Sequence, residues 1–412
     1  MTARRQCAFA LFLLAASPLY STGPWSVLWT APCILFASVL IAWGAESAQF
    51  FVAQAFALAI LAWLQTLPEF AVEAVLAFHQ QRDLLLANLT GALRLLTGIG
   101  WPMIYLTAAV FHRRHKGRPL RRIRLEAHHS IEVLGLALPL IYAFVIWRKG
   151  ALNLFDSVVL IAIYAAYLIL LTKLPPESHE RIDDLEAVPR AIASAPRVWR
   201  VPVIIACFAL GGTLIYFTAA PFLGSLIAAA VVLGIPSFIV IQWFAPLVSE
   251  FPEFASTFYF ARQINQAPVA IMNIASSNIN QWTLLVAMLP LVLSFGAGAV
   301  SQINLNPQQQ AELLLTIGQS ALAFAFLLDM KLAWWEAALL FVSFVAQFVF
   351  APFASQPNAL GLIATSIRHW LTNGYFLYCG VVIVRMLVLR QRPAALKGLI
   401  DTWRLRGQQH LA

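Results

Sequence analysis

Four glutamates stand inside stretches that are otherwise apolar: Glu69 and Glu73 in the first half of the chain, Glu250 and Glu253 in the second. They belong to two related segments, Gln65-Thr-Leu-Pro-Glu-Phe-Ala-Val-Glu73 and Ser249-Glu-Phe-Pro-Glu-Phe-Ala-Ser-Thr257. Pro-Glu-Phe-Ala is common to both, at an offset of 184 residues (253 against 69). About twenty residues after each shared Glu comes a second polar patch, Ala87-Asn-Leu-Thr-Gly-Ala92 and Met272-Asn-Ile-Ala-Ser-Ser-Asn278. Asn88 and Asn273 are offset by 185, so the register holds to within one residue.

These residue types point to hard-cation chemistry. Pro68 cannot donate to the carbonyl of Leu64, nor Pro252 to that of Val248, so each proline breaks a helix beside a glutamate and frees a carbonyl oxygen. Carboxylates, carbonyls, hydroxyls and amides make an all-oxygen site, which suits Ca2+ or Na+; transition metals would want His or Cys, and neither occurs in the motifs. An ionised carboxylate at the centre of a bilayer costs roughly 2.5–3.5 kcal/mol on insertion scales, so four would cost on the order of 10 kcal/mol. A bound cation, or protonation, removes most of that penalty.

The elements that must position these groups are transmembrane helices. Of 412 residues, 61% are hydrophobic and 11% charged, and mean hydropathy is +0.78. An ordinary soluble domain is about 25% charged, so this composition excludes one, and it equally excludes disorder. Apolar runs long enough to cross a bilayer are expected at 26–45, 48–79, 84–111, 130–148, 152–172, 201–219, 221–262, 267–299, 310–328, 331–353 and 362–389. The runs 48–79 and 221–262 exceed one simple crossing, and both contain a proline in their second half. Residues 1–25 read as a signal peptide or a first span, 173–200 as a polar cytoplasmic linker, and 354–412 as an extra span with a basic cytoplasmic tail.

The net charge of +9 does not indicate nucleic acid. Seven Lys or Arg fall between Arg113 and Arg124 with no acidic residue among them, and another set (Arg390, Arg392, Lys397, Arg404, Arg406) lies in the tail. Basic loops beside spans mark the cytoplasmic side, and the 302–310 loop, without Lys or Arg, falls outside. The partners expected are the lipid bilayer and inorganic cations; no nucleic acid and no cofactor beyond the transported ions is expected, and no oligomeric state follows. The four cysteines, in apolar runs without close spacing, read as small hydrophobes.

The repeat sets the architecture: an all-α polytopic membrane protein with two five-helix halves, 26–172 (motif 65–98) and 201–353 (motif 249–281), plus an additional C-terminal span. An odd number of spans inserts the second half upside down. Inverted repeats of this kind recur in secondary transporters, with the substrate near the midplane where broken helices meet.

The two motifs resemble the α-repeats of the Ca2+/cation antiporter superfamily, specifically the sodium/calcium exchanger membrane region, whose usual pattern is Gly-Thr-Ser-x-Pro-Glu followed by Gly-Asn-x-x-Gly-Ser-Asn. The resemblance implies that Glu69 and Glu253, one from each repeat, bind the metal cation. It implies neutral oxygens from Gln65, Thr66, Ser249, Asn88, Asn273 and Ser277, with Glu250 in a position usually held by Ser. The departures are informative. Leu64 and Val248 replace the leading glycines, and Ala92 and Leu93 stand where Ser-Asn belongs, which removes oxygens from a sodium site. Glu73 and Glu250 add carboxylates that could carry protons. Arg94 is a charge inside a span, expected to pair with Glu73 or Glu250, to stand in for a cation, or to fix helix packing through a salt bridge.

The function that follows is antiport of Ca2+, or a similar divalent cation, for Na+ or H+ by alternating access. The alternative is a degenerate relative that no longer transports and serves as a membrane scaffold or regulator, which Arg94 and the lost ligands would motivate. An enzyme is not expected, since there is no HExxH, no GxSxG and no Asp-rich cluster. A cell membrane is the expected location.

Overall fold

The computed structural model describes residues 23–48, 51, 66–171, 185, 187–263, 265–354, 358–390 and 392–409. Gln65, the N-terminal run 1–22 and most of the 173–186 stretch lie outside the described residues.

The first half opens with α1 (Val27–Ala48), then α2 (Leu67–Phe78) and α3 (Arg82–Leu95). A π-helical turn over Leu96–Gly100 carries α3 into α4 (Trp101–Lys116) without a break in the chain's path. The short strand β1 (Arg122–Arg124) leads to α5 (Ser130–Gly135), α6 (Ala137–Lys149), β2 (Ala151–Leu152) and α7 (Leu154–Leu171). After the short α8 (Ala187–Ala193) the second half repeats the plan: α9 (Arg197–Leu233), α10 (Ser237–Ser249), α11 (Phe251–Arg262), α12 (Ala267–Asn280), a second π turn (Gln281–Leu285) and α13 (Val286–Ala297). Strand β3 (Ile303–Asn304), α14 (Pro307–Leu327), β4 (Lys331–Ala333) and α15 (Trp334–Phe350) complete it. The additional C-terminal span is α16 (Ala359–Val388), and α17 (Ala394–Gln409) turns back to pack on α5 and the turn before it.

The register of the repeat extends into the backbone. Helix α12, its π turn and α13 each start 185 residues after α3, its π turn and α4. Thr66 and Glu250, which precede α2 and α11, adopt the same non-helical conformation, φ −86°, ψ 0° and φ −85°, ψ 0°. In both, a proline occupies the start of the following helix, where its missing N–H costs nothing.

Two antiparallel ribbons tie the halves together. One pairs β1 with β4, Ile123 opposite Leu332; the other pairs β2 with β3, Leu152 opposite Ile303. In the first half β1 precedes the crossing made by α5 and α6 and β2 follows it; in the second half β3 precedes α14 and β4 follows it. Each ribbon therefore joins the start of one such crossing to the end of its counterpart, as an inversion relating the halves requires.

Among the described residues nine helical stretches are long and apolar enough to cross a bilayer, and α10 is a shorter apolar helix that reaches the break at Glu250. One expected boundary is displaced. The runs 201–219 and 221–262 were expected to divide near Pro221, but Pro202 and Pro221 both lie within α9, 37 residues long. Proline is tolerated in a membrane helix where neighbouring groups take up the freed carbonyl. The break comes at Gly234, whose φ of +65° suits a residue without a Cβ, followed by Pro236. The end of the polar stretch 173–200 is also helical, as α8 and the first turn of α9.

Helix α1 lies along α9 through small residues and hydroxyls. Thr30 is 3.1 Å from Ser225, and Cys33 is 3.4 Å from Thr218. Close approach of small side chains is the means by which helices associate in lipid, which offers no hydrophobic drive between them. Large apolar side chains on α16, such as Leu362 and Trp370, face outward as lipid-facing residues do.

Candidate cation site

Glu69 sits in the first turn of α2 and Glu253 in the first turn of α11, each placed by the break before its helix. Glu73 lies one turn further along α2, and Glu250 is the break residue itself. All four are buried. Two helix starts from opposite halves thus bring four carboxyl groups into the protein interior.

Residues the sequence reading did not single out organise them. The Gln281 side-chain amide, from the π turn after α12, donates to Glu69 at 2.9 Å and to Glu250 at 2.7 Å. One amide nitrogen therefore joins a carboxyl group of each half. The neighbouring Asn280 donates to Thr66 at 2.6 Å. Both bonds run from the second half to the first. Glu73 is held separately, accepting from Asn88 at 2.9 Å.

The acceptor count in this cluster is unbalanced. Glu69 Oε1, Glu73 Oε2, Asn88 Oδ1, Glu250 Oε2 and both oxygens of Glu253 are buried without a donor, as are the side-chain oxygens of Asn278, Asn280 and Gln281. Each buried acceptor left without a donor costs about 1–3 kcal/mol. Every one of these atoms is an oxygen acceptor, the ligand type that suits a hard cation.

The expected ligands divide in the structure. Thr66, Glu69 and Glu250 are joined through Asn280 and Gln281, while Gln65 lies outside the described residues. Ser249 and Ser277 are buried, but Ser249 Oγ donates back to the Pro246 carbonyl at 3.4 Å. Asn273 is only partly buried and donates to Ser256 at 3.1 Å, whose hydroxyl in turn donates to the Glu253 backbone carbonyl at 3.1 Å. Glu69 and Glu253 were expected to hold a metal as a pair. Glu69 shares the Gln281 amide with Glu250, and both carboxylate oxygens of Glu253 are buried without a donor. Among the described residues no three His, Cys, Asp or Glu side chains converge as a metal cage.

The expectation that Arg94 pairs with Glu73 or Glu250 is corrected. Its guanidinium lies 2.8 Å from Glu312 on α14, so the salt bridge that fixes packing is the arrangement found. Arg94 does not substitute for a bound ion. The polar run Asn278-Ile-Asn-Gln281 in an apolar span was the available signal for Asn280 and Gln281; it continues the family pattern beyond its last residue.

The family described as sodium/calcium exchanger protein matches residues 22–173 and 203–352, one match in each half. Among solved structures, the crystal structure of an H+/Ca2+ exchanger, CAX, is 30% identical, covers 97% of this chain and 97% of its own, and superposes with a TM-score of 0.81. Native YfkE is 14% identical, covering 82% of this chain and 98% of its own, with a TM-score of 0.61. The sodium-calcium exchanger NCX_Mj, soaked with Na+ and Sr2+, is 18% identical, covering 78% and 98%, with a TM-score of 0.53. The last two likenesses concern the fold. No match is found among curated proteins.

Proposed function

The chain belongs to the sodium/calcium exchanger family, and on that premise we propose that it is a secondary-active antiporter exchanging Ca2+, or a similar divalent cation, for protons. The observation that carries the choice of proton is the pair Glu69 and Glu250, both buried and both bonded to the one Gln281 amide nitrogen. Two buried carboxylates held this close repel unless a proton or a cation lies between them. A sodium site would draw on neutral oxygens, and Ala92 and Leu93 supply none in the first half. The likeness to an H+/Ca2+ exchanger over nearly the full chain supports the same reading.

The residues act in the following way. With one proton on Glu69 and one on Glu250, the Gln281 amide holds the two neutral carboxyl groups together. Loss of protons to one side of the membrane leaves carboxylates that repel each other, and an arriving divalent cation takes the place of the Gln281 donor between them. Glu253 and the unpartnered oxygens of Asn278, Asn280 and Gln281 complete an all-oxygen shell. Two protons traded for one divalent cation leave the charge of the site unchanged, which keeps the cost of crossing the bilayer low in both directions. Exposure to the two sides alternates as helices of the two repeats rock or slide past the fixed midplane site.

The test is uptake of Ca2+ by vesicles containing the purified protein, driven by an imposed pH gradient. A scaffold that does not transport would move no ion under any gradient. Arg94 was one of the two motives for that alternative, with the lost first-half ligands, and its guanidinium is bonded to Glu312.

A further inference from the structure

A second buried polar assembly lies apart from the four glutamates. Its hub is Glu312, near the start of α14, which meets Arg94 of α3 at 2.8 Å and Arg368 of α16 at 3.3 Å. Arg94 is 2% exposed, Glu312 13% and Arg368 19%. Gln242 of α10 donates to Glu312 at 3.2 Å and to Thr90 of α3 at 3.5 Å. The next residue, Trp243, presents its ring to the Arg94 guanidinium at 5.0 Å.

Charges buried in a membrane are expensive and mark function by default. Stability alone gives no reason to keep them, since a buried ion pair replaced by well-packed apolar side chains is often as stable or more so. The side chains that Arg94 bonds are Glu312 and Gln347, not the four site glutamates. A mechanical path from this assembly to the site is short. Helix α10 runs from Gln242 to the break at Glu250, about 12 Å along a helix axis. On α3, Arg94 stands six residues, about 9 Å, from Asn88, which holds Glu73. At Gly91, between them, a Cβ would sit 1.8 Å from the Gln242 carbonyl oxygen, so the two helices touch backbone to backbone at this point.

We propose that Glu312 is a positioning residue for cation exchange: with Arg94 and Arg368 it clamps the half-helix that ends at Glu250 against the helix that carries Asn88, and it draws the additional C-terminal span into that clamp. The proposal rests on the antiport reading for its transport readout but not for its geometry. Helix α16 is then part of the transport machinery, although it lies outside the two repeats.

The test uses full-length protein in vesicles and two variants. Gln242→Leu leaves the ion pairs intact and removes the link from Glu312 to α10. The triple variant Arg94→Met, Glu312→Leu, Arg368→Met removes the charges together, which avoids stranding one of them. Both are expected to raise the KM for Ca2+ about ten-fold, the loss typical of one hydrogen bond to a charged group, with the maximal rate little changed. Spin labels at Leu247 of α10 and Trp370 of α16, both exposed positions, should give a narrow distance distribution in the parent and a broad one in the triple variant. A wild-type KM in folded Gln242→Leu, or an unbroadened distribution in the triple variant, would overturn the clamp. If the triple variant does not fold, the Gln242→Leu KM decides. A parent protein that moves no cation overturns the antiport reading instead, and the label distances still decide the clamp.

Discussion

Gln281 donates across the repeat boundary, from one amide nitrogen to a carboxyl group of each half. Removing it as Gln281→Leu takes from Glu69 and Glu250 the donor they share and takes an oxygen from the proposed cation shell. Hydrogen bonds to charged groups are worth about 1.5–3 kcal/mol, so the KM for Ca2+ should rise roughly 10- to 100-fold in a vesicle uptake assay. An unchanged KM would remove Gln281 from the site. Glu69→Gln and Glu253→Gln should each abolish Ca2+ flux while the protein still elutes as a folded species in detergent, because each deletes a charged ligand and keeps the side chain's shape. Flux at the parent rate in either variant would refute the assigned role. At this scale the carboxylates were legible because charge in an apolar run stands out. Gln281 and Asn280 were harder to see, since a neutral amide carries little signal until a partner from the other half is placed against it. Glu312 was hidden for a related reason: lying at the start of a span, it reads as a residue at the water interface, and only folding brings Arg94 and Arg368 to it.

The helices that hold these residues depend on close approach at a few positions. Gly91 lets α3 meet α10, where any Cβ would collide with the Gln242 carbonyl oxygen. That neighbour is backbone and cannot rotate away, so Gly91→Ala must push the helices apart. Overpacking of this kind costs about 1–3 kcal/mol, and a lowered thermal midpoint in detergent should report it. Gly212, on α9, has nothing within 4 Å of an added Cβ. Gly212→Ala should therefore leave the midpoint unchanged or slightly raised, and an equal fall in both variants would contradict the packing argument. The helical breaks before Glu69 and Glu253 were legible, because proline dictates them locally. The division of α9 from α10 was misplaced at Pro221 because the same local rule yields to tertiary context in a membrane. The paired π turns leave no local mark at all; they appear at the same register because the same packing recurs in each half.

At the scale of the whole molecule the inversion explains why two half-sites meet at one place. Proline breaks, acceptor oxygens and ribbons recur in each half, so a centre built from both halves can face either side of the membrane at little cost. The tetrapeptide offset and the odd span count made this architecture readable. The roles of the departures from symmetry became readable only with partners in view: Glu250 where the first half has Thr66, Gln281 where it has Leu96. Glu250 stands where the first half has a hydroxyl, and Gln281 where it has an alkyl chain, so both departures add polar groups to the second half. Glu250→Ser, which restores the family's usual residue, should flatten the pH dependence of Ca2+ uptake, because it removes one of the two carboxyl groups that the proposed exchange protonates. The most direct test of the central claim is Ca2+ uptake into vesicles of the purified protein under two imposed gradients, one of pH with sodium absent and one of sodium at constant pH. Uptake that follows the pH gradient and is indifferent to sodium is the result expected. Uptake driven by sodium and unaffected by pH would contradict the proton as coupling ion, and uptake under neither gradient would contradict antiport itself.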